Sequence, residues 1–406
     1  MSLGRTWAVS LTGLAGDLVE VEADLSNQTP AFRIVGLADR ALAEAQQRVH
    51  NACQNSGLPL SRRRVTVNLS PASLPKQGSG FDVAIAAAAL ATELPMDPVS
   101  LADTVHIGEL GLDGRLRPVP GVLPAVIAAA RARRRTVIVP EACRAEAALV
   151  DGIRVVGCRT LAGVARWHGL DIDGDDEAVP EVPGPAAGRG SSGDDPPGED
   201  LSDIRGQEEA IDALVVAAAG GHHLLMSGPP GAGKTMLARR LPGILPALDD
   251  ETALQVASIR SLSGTVVDSL SRVPPFEAPH HSVSVAALVG GGSRSLRPGA
   301  IARASGGVLF LDEAGEYSAH ALDSLRQPLE AGSIDIHRAG FRATLPARFQ
   351  LVVLACVRLG SVRHPSRVSA PHGRPAALVA VECRPNGGTN RCAMCLDYES
   401  DVGVSG

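Results

Sequence analysis

The chain has 406 residues, 45% of them hydrophobic, with a formal net charge of −6, which allows two or three domains with cores of their own and excludes a global basic field, so that any nucleic-acid contact must rest on a local patch. Seven cysteines in no framework spacing argue against a disulfide scaffold and for a reducing compartment. With no charged-then-apolar leader, and a most apolar run, Val83 to Leu90, far too short to span a bilayer, the expected class is a soluble cytoplasmic protein with few aromatics in its cores and no membrane partner.

Residues 1 to 170 read as one mixed α/β unit. Leu18 to Leu25 alternates like a half-buried strand and Val65 to Leu69 is another. Between them Arg40 to Cys53 carries a helical pattern that ends near Gly57. Gly108 to Arg117 predicts a hairpin turning at Asp113-Gly114, followed by a helix over Val122 to Arg131 and a strand over Thr136 to Val139. Just before an alanine-rich helix stands Leu74-Pro75-Lys76-Gln77-Gly78-Ser79-Gly80-Phe81-Asp82. This region resembles the proteolytic domain of Lon protease, but the serine position of that pattern falls on Gly80 and the lysine position on Leu123. Ser79 is one residue away with no obvious base, and a nucleophile needs its activating partner within hydrogen-bond reach. Protease chemistry is therefore not expected, and Lys76 reads as a structural loop cation or a binding residue.

From Asp171 to Asp203 the composition turns acidic and rich in Pro, Gly and Ser. Such a stretch buries too little apolar surface to offset its ordering entropy, so residues 171–200 read as a linker. The next unit opens near Leu201 with Gly206-Gln207 and a helix over Ala210 to Ala219. After the apolar run Leu224-Leu225-Met226 comes Gly228-Pro229-Pro230-Gly231-Ala232-Gly233-Lys234-Thr235, a complete phosphate loop in the strand-loop-helix context it requires. Its backbone N–H groups would wrap phosphate oxygens of ATP, Lys234 would reach the β- and γ-phosphates, and Thr235 would ligate Mg²⁺. The chain has two lysines, Lys76 and Lys234, among many arginines. Retaining a lysine at 234 suits a site that needs a compact point charge rather than a planar fork.

Gly307 to Glu313 is a short buried strand ending in two carboxylates, 78 residues beyond Lys234. Asp312 is the expected Mg²⁺ ligand, and Glu313 the residue that polarises attacking water. Gly290 to Gly299 and Ser333 to Arg342 read as hairpins whose arginines, Arg294, Arg297, Arg338 and Arg342, would track nucleic-acid phosphates. The alternative for all four is solvated surface charge. His280-His281 is a poor chelate on its own and reads as structural or nucleotide-adjacent.

The order Gly206-Gln207, Ala218 to His223, the phosphate loop, Ala278-Pro279-His280-His281, Leu288 to Gly292, Gly307 to Glu313 and Leu325 to Glu330 resembles the magnesium-chelatase-like AAA+ ATPases of the ComM/YifB group. Val35-Gly36-Leu37-Ala38 and Val67 to Ala72 match the same group. The resemblance implies an α/β protein: a Lon-protease-like α+β domain of the ribosomal S5 domain 2-like kind over 1–170, then a P-loop AAA+ three-layer αβα core over 201–355. It also implies a homo-hexameric ring and ATP-driven branch migration of DNA in recombination or competence. The alternatives are a chelatase-like ATPase acting on a protein or metallocofactor partner, and a non-hydrolysing ATP-binding module.

The resemblance stops after Phe349 to Ala355, where the family places a sensor asparagine and this chain reads Cys356-Val357-Arg358. Residues 356–406 show no sustained apolar period and hold no acidic residue before Glu382, as an out-of-frame tail would. On that reading the fifth strand of the sheet, the sensor, the arginine finger and the helical lid are lost and hydrolysis is impaired. Cys392-Ala393-Met394-Cys395, with Cys383 and Cys356, is too sparse for a zinc site.

Overall fold

The computed structural model describes residues 3–35, 40–60, 63–76, 78–173, 176, 179–180, 199–291, 296–338, 341–356, 378–382 and 392–393. The first unit runs β1 (Gly4–Thr12), β2 (Ala15–Ser26), β3 (Ala31–Val35), α1 (Arg40–Asn55), β4 (Arg64–Ser70), α2 (Asp82–Leu90), α3 (Pro98–Asp103), β5 (Thr104–His106), β6 (Glu109–Leu110), β7 (Leu116–Arg117), α4 (Val122–Arg131), β8 (Thr136–Pro140), α5 (Arg144–Ala147), β9 (Arg154–Cys158) and α6 (Leu161–Trp167). Seven strands form one sheet in the order β3-β4-β2-β1-β5-β8-β9, and β6 and β7 make the expected hairpin with Gly114 in the left-handed region.

α2 is buried along its whole length. Its alanines let backbone approach backbone, and a Cβ on Gly4 would stand 2.0 Å from the Ala88 carbonyl oxygen. Asp82, fully buried at the start of α2, accepts from Arg48 Nε at 2.8 Å and from the Leu110 N–H at 3.2 Å. Burial pushes its carboxyl up to about 6, with Arg48 pulling the other way.

The second unit runs α7 (Glu208–Gly220), β10 (His223–Gly228), α8 (Lys234–Ile244), α9 (Asp250–Leu262), β11 (Phe276–Glu277), α10 (Val285–Val289), β12 (Gly290–Gly291), β13 (Arg297–Pro298), α11 (Ala300–Arg303), β14 (Val308–Leu311), α12 (Ala319–Asp323), α13 (Arg326–Ala331), β15 (Ser333–Arg338), β16 (Phe341–Pro346), β17 (Gln350–Cys356), β18 (Leu378–Glu382) and β19 (Cys392–Ala393). Its sheet has the order β11-β14-β17-β10-β18-β19, parallel except for the last pair. Apolar strands buried on both faces, such as Val308 to Leu311, are what a parallel sheet between helices demands.

One expectation is corrected here. A fifth parallel strand is present, because Leu378–Glu382 pairs with β10 from His223↔Leu378 to Ser227↔Glu382. The short apolar run Leu378-Val379-Ala380-Val381 suffices to occupy a sheet edge that would otherwise be unpaired. The acidic stretch is also anchored where it is described: Asp176 accepts from the Arg159 N–H at 2.8 Å, and Ile172 packs against the first core. At its far end Arg240 of α8 binds the Glu199 carboxylate and the Asp200 carbonyl, both at 2.8 Å.

The two units meet along α4 and α9. Gly121 precedes α4 with a left-handed φ of 84° and no side-chain cap. Ser261 of α9 supplies the missing partners, accepting from the Gly121 N–H through its carbonyl at 3.0 Å and from the Leu123 N–H through Oγ at 3.3 Å. Glu146 Oε1 shares the Leu123 N–H at 3.2 Å, and burial pushes this carboxyl up to about 7. Leu123 packs in a small cluster with Ala257 and Val267. Among the described residues no helix is long and apolar enough to cross a membrane.

Candidate functional site

The phosphate loop emerges from β10 at the carboxyl end of the sheet. Its turn is made by Gly228, Gly231 and Gly233, with φ of 152°, 79° and 76°, values that a side chain would strain. α8 begins directly behind Gly233 with no side-chain cap, so its first N–H groups are open to a ligand. Pro230 and Gly231 are exposed and Thr235 is half-buried. Lys234 is 6% exposed, and its Nζ donates to the carbonyls of Gly228 and Pro229 at 2.9 Å each.

Gln207, the residue immediately before α7, braces the loop by donating through Nε2 to the Ala232 carbonyl at 2.9 Å. Its Oε1 is buried without a partner, and its backbone is left-handed with φ of 62°. A Cβ on Gly233 would lie 2.9 Å from Gln207 Nε2. The loop thus fits a triphosphate with Mg²⁺: left-handed glycines, an open helix start, a held lysine and a hydroxyl beside it.

The acidic pair stands where β14 ends, one strand away from β10 across β17. Asp312 and Glu313 are both exposed, and Asp312 Oδ1 accepts from the Glu313 N–H at 2.9 Å. Glu313 has φ of 51° and ψ of 50°, a conformation that costs a non-glycine residue about 1–2 kcal/mol. His281 approaches it, with Nδ1 3.7 Å from Glu313 Oε2 and Nε2 3.5 Å from Glu316 Oε2. Spacing alone does not bring His281, Glu313 and Glu316 together, nor Gln207 to the loop; only strand register and the loop's brace do.

The four arginines do not form one described cluster. Arg297 is exposed on β13, opposite Gly291. Arg342 is paired with Asp335 at 3.2 Å. Arg338 lies on β15, opposite Phe341. Arg294 falls outside the described residues, as do Gly36 to Ala38, Cys383 and Cys395. The predicted hairpins are β12–β13 and β15–β16.

Around Gly80 and the seam lies a cavity of about 430 Å³, whose walls include Val9, Leu11, Ile107, Ala125 and Leu262. Leu123 is fully buried in the core between the units. Ser79, for which the sequence shows no obvious base, donates through Oγ to the Glu109 carboxylate, 30 residues away in sequence. Lys76 is 4% exposed, and its Nζ donates to the carbonyls of Pro71 and Leu74. Cys53, Cys143 and Cys158 are buried.

Comparison with known proteins converges on one family. Residues 200–370 match the family model described as magnesium chelatase, subunit ChlI, and residues 21–143 match that of subunit ChlI of Mg-chelatase. The first of these matches runs past Ala355, where the sequence resemblance ends. The chain is 49% identical over 363 residues to the protein Rv2897c of Mycobacterium tuberculosis, covering 87% of this chain and 69% of that protein. It is 42% identical over 359 residues to competence protein ComM of Haemophilus influenzae, covering 87% and 68%. With YifB of Escherichia coli K12 it shares 39% over 353 residues, covering 87% and 67%.

Proposed function

Because the chain belongs to the magnesium-chelatase-like AAA+ family of ComM and YifB, we propose that it binds and hydrolyses ATP to remodel branched or single-stranded DNA, working as a homo-hexamer. The observation that carries the nucleotide part is the placement of Lys234 and the Asp312-Glu313 pair at the carboxyl ends of strands in one parallel sheet. Ligands of open α/β sheets bind at that end.

In this reading the N–H groups of residues 228–233 and the start of α8 hold the phosphates. Lys234 turns its Nζ from the Gly228 and Pro229 carbonyls to the β- and γ-phosphates, trading neutral acceptors for charged ones. Thr235 and Asp312 would hold Mg²⁺, which would offset the negative charge of the phosphates. Glu313 accepts a hydrogen bond from the attacking water and orients it for in-line approach.

The DNA part rests on the ComM relative, whose name ties that protein to competence, and on exposed Arg297 and Arg342 at hairpins of this unit. We assign residues 1–170 to a Lon-protease-like domain that lacks the serine and lysine positions, 171–200 to the linker, 201–355 to the AAA+ core and 356–406 to an out-of-frame tail that weakens hydrolysis. ATP turnover by the 406-residue chain, and by a version with the frame restored after codon 355, tests this with and without a four-way DNA junction. Junction-stimulated turnover that rises in the restored version supports the reading. Turnover indifferent to DNA in both chains points to a protein or metallocofactor partner, and the absence of turnover in both overturns the motor.

A further inference from the structure

We propose that His281 is a positioning residue for Glu313, an inference that rests on the hydrolytic reading of that carboxylate. The cause lies in strand register. β11 and β14 are parallel neighbours with Phe276↔Val308 and Glu277↔Leu309 paired. His281 comes four residues after Glu277 and Glu313 four after Leu309, so the two loops leave the sheet side by side. Their side chains meet with His281 Nδ1 3.7 Å from Glu313 Oε2.

Three features keep the imidazole in that place. Tyr317 donates through its hydroxyl to the Pro279 carbonyl, tying the histidine loop to the segment that follows Glu313. His280 binds elsewhere, with Nδ1 2.8 Å from Ser282 Oγ, while its ring lies tilted at 37° against that of His281 at a centroid distance of 4.0 Å. The far nitrogen of His281 stands 3.5 Å from Glu316 Oε2, so the ring is clasped between two carboxylates. Glu313 needs such a brace, because it is exposed and its backbone occupies the left-handed region. A carboxylate free to rotate would present water to the γ-phosphate in only a fraction of its rotamers, and misplacement by about 1 Å costs on the order of 100-fold.

The assignment distinguishes the two ring nitrogens. An asparagine amide reaches the position of Nδ1 and a glutamine amide that of Nε2. His281→Asn is therefore expected to retain more turnover than His281→Gln, which speaks only to Glu316. His281→Ala is expected to lower kcat between about 10- and 100-fold with KM and ATP affinity unchanged.

The experiment measures steady-state ATP turnover and the affinity of a fluorescent ATP analogue on the 406-residue chain and these three variants, beside Glu313→Gln. Turnover lost in Glu313→Gln and lowered in His281→Ala at unchanged affinity, with partial rescue by asparagine, is the expected result. Full turnover in His281→Ala while Glu313→Gln is inactive overturns the positioning role and leaves the hydrolytic reading standing. An active Glu313→Gln overturns both. Should the unsubstituted chain prove inactive, the clasp is read from the histidine side-chain NMR spectrum, with the His281 signals identified by their loss in His281→Gln. Those signals are expected to move in Glu313→Gln and in Glu316→Gln, and their constancy in both overturns the clasp.

Discussion

Two loops of this molecule each carry one of its two lysines, and in both the ammonium is buried and donates to carbonyls of its own loop. The surroundings differ. Lys234 opens a helix behind left-handed glycines, with an exposed carboxylate pair in the same sheet. Lys76 follows β4 and precedes α2, beside Ser79 bound to Glu109 and Asp82 bound to Arg48. Among the described residues there, Ser79 and Glu109 bond each other and Arg48 bonds Asp82. A buried lysine is thus ambiguous by itself, and the groups left unspent around it separate phosphate binding from loop stapling.

The comparison can be broken from either side. At the Lys234 side, Glu313→Gln is expected to lower ATP turnover roughly 100-fold or more while leaving affinity for the nucleotide intact, checked by steady-state kinetics and direct binding. At the Lys76 side, the effects should be on stability. Arg48→Ala strands a fully buried Asp82 and is expected to cost about 3–5 kcal/mol in denaturant unfolding, with nucleotide affinity unaltered.

The seam between the two sides should respond to pH. Burial raises Glu146 from 4.5 to about 7 in the folded chain, against the smaller pull of its hydrogen bonds with Ser261 and Leu123. Between those values the unfolded chain has released a proton that the folded chain keeps. Stability from this group is therefore lost as pH rises from about 4.5 through about 7, and is level above. The full effect is on the order of 3 kcal/mol. Glu146→Gln keeps an acceptor for the Leu123 N–H without the ionisation, so it should raise the unfolding temperature at pH 8 and change it little at pH 5.

The phosphate-loop motif was legible because it is written in consecutive residues, and the place of Asp312-Glu313 because an apolar strand announces its own end. Most first-unit elements were equally local, including α4 and the turn at Gly114. What sequence could not show depends on register or on distant chain. His281 reaches Glu313 only because a two-residue strand, β11, pairs with β14. Ser261 caps α4 from 138 residues away with no local sign. β18 was missed because four apolar residues in a stretch without periodicity give no signal until an open strand edge recruits them.

The most direct test of the account is the MgATP affinity of Lys76→Ala and Lys234→Ala, measured by calorimetry beside the unsubstituted chain. Lys234→Ala should bind roughly 100-fold more weakly, and it too leaves two carbonyls without their donor, at about 1–3 kcal/mol of stability. Lys76→Ala should bind as the parent does while losing about 1–3 kcal/mol of stability, because two carbonyls lose their donor. Equal losses of affinity in both variants, or none in Lys234→Ala, would contradict the account.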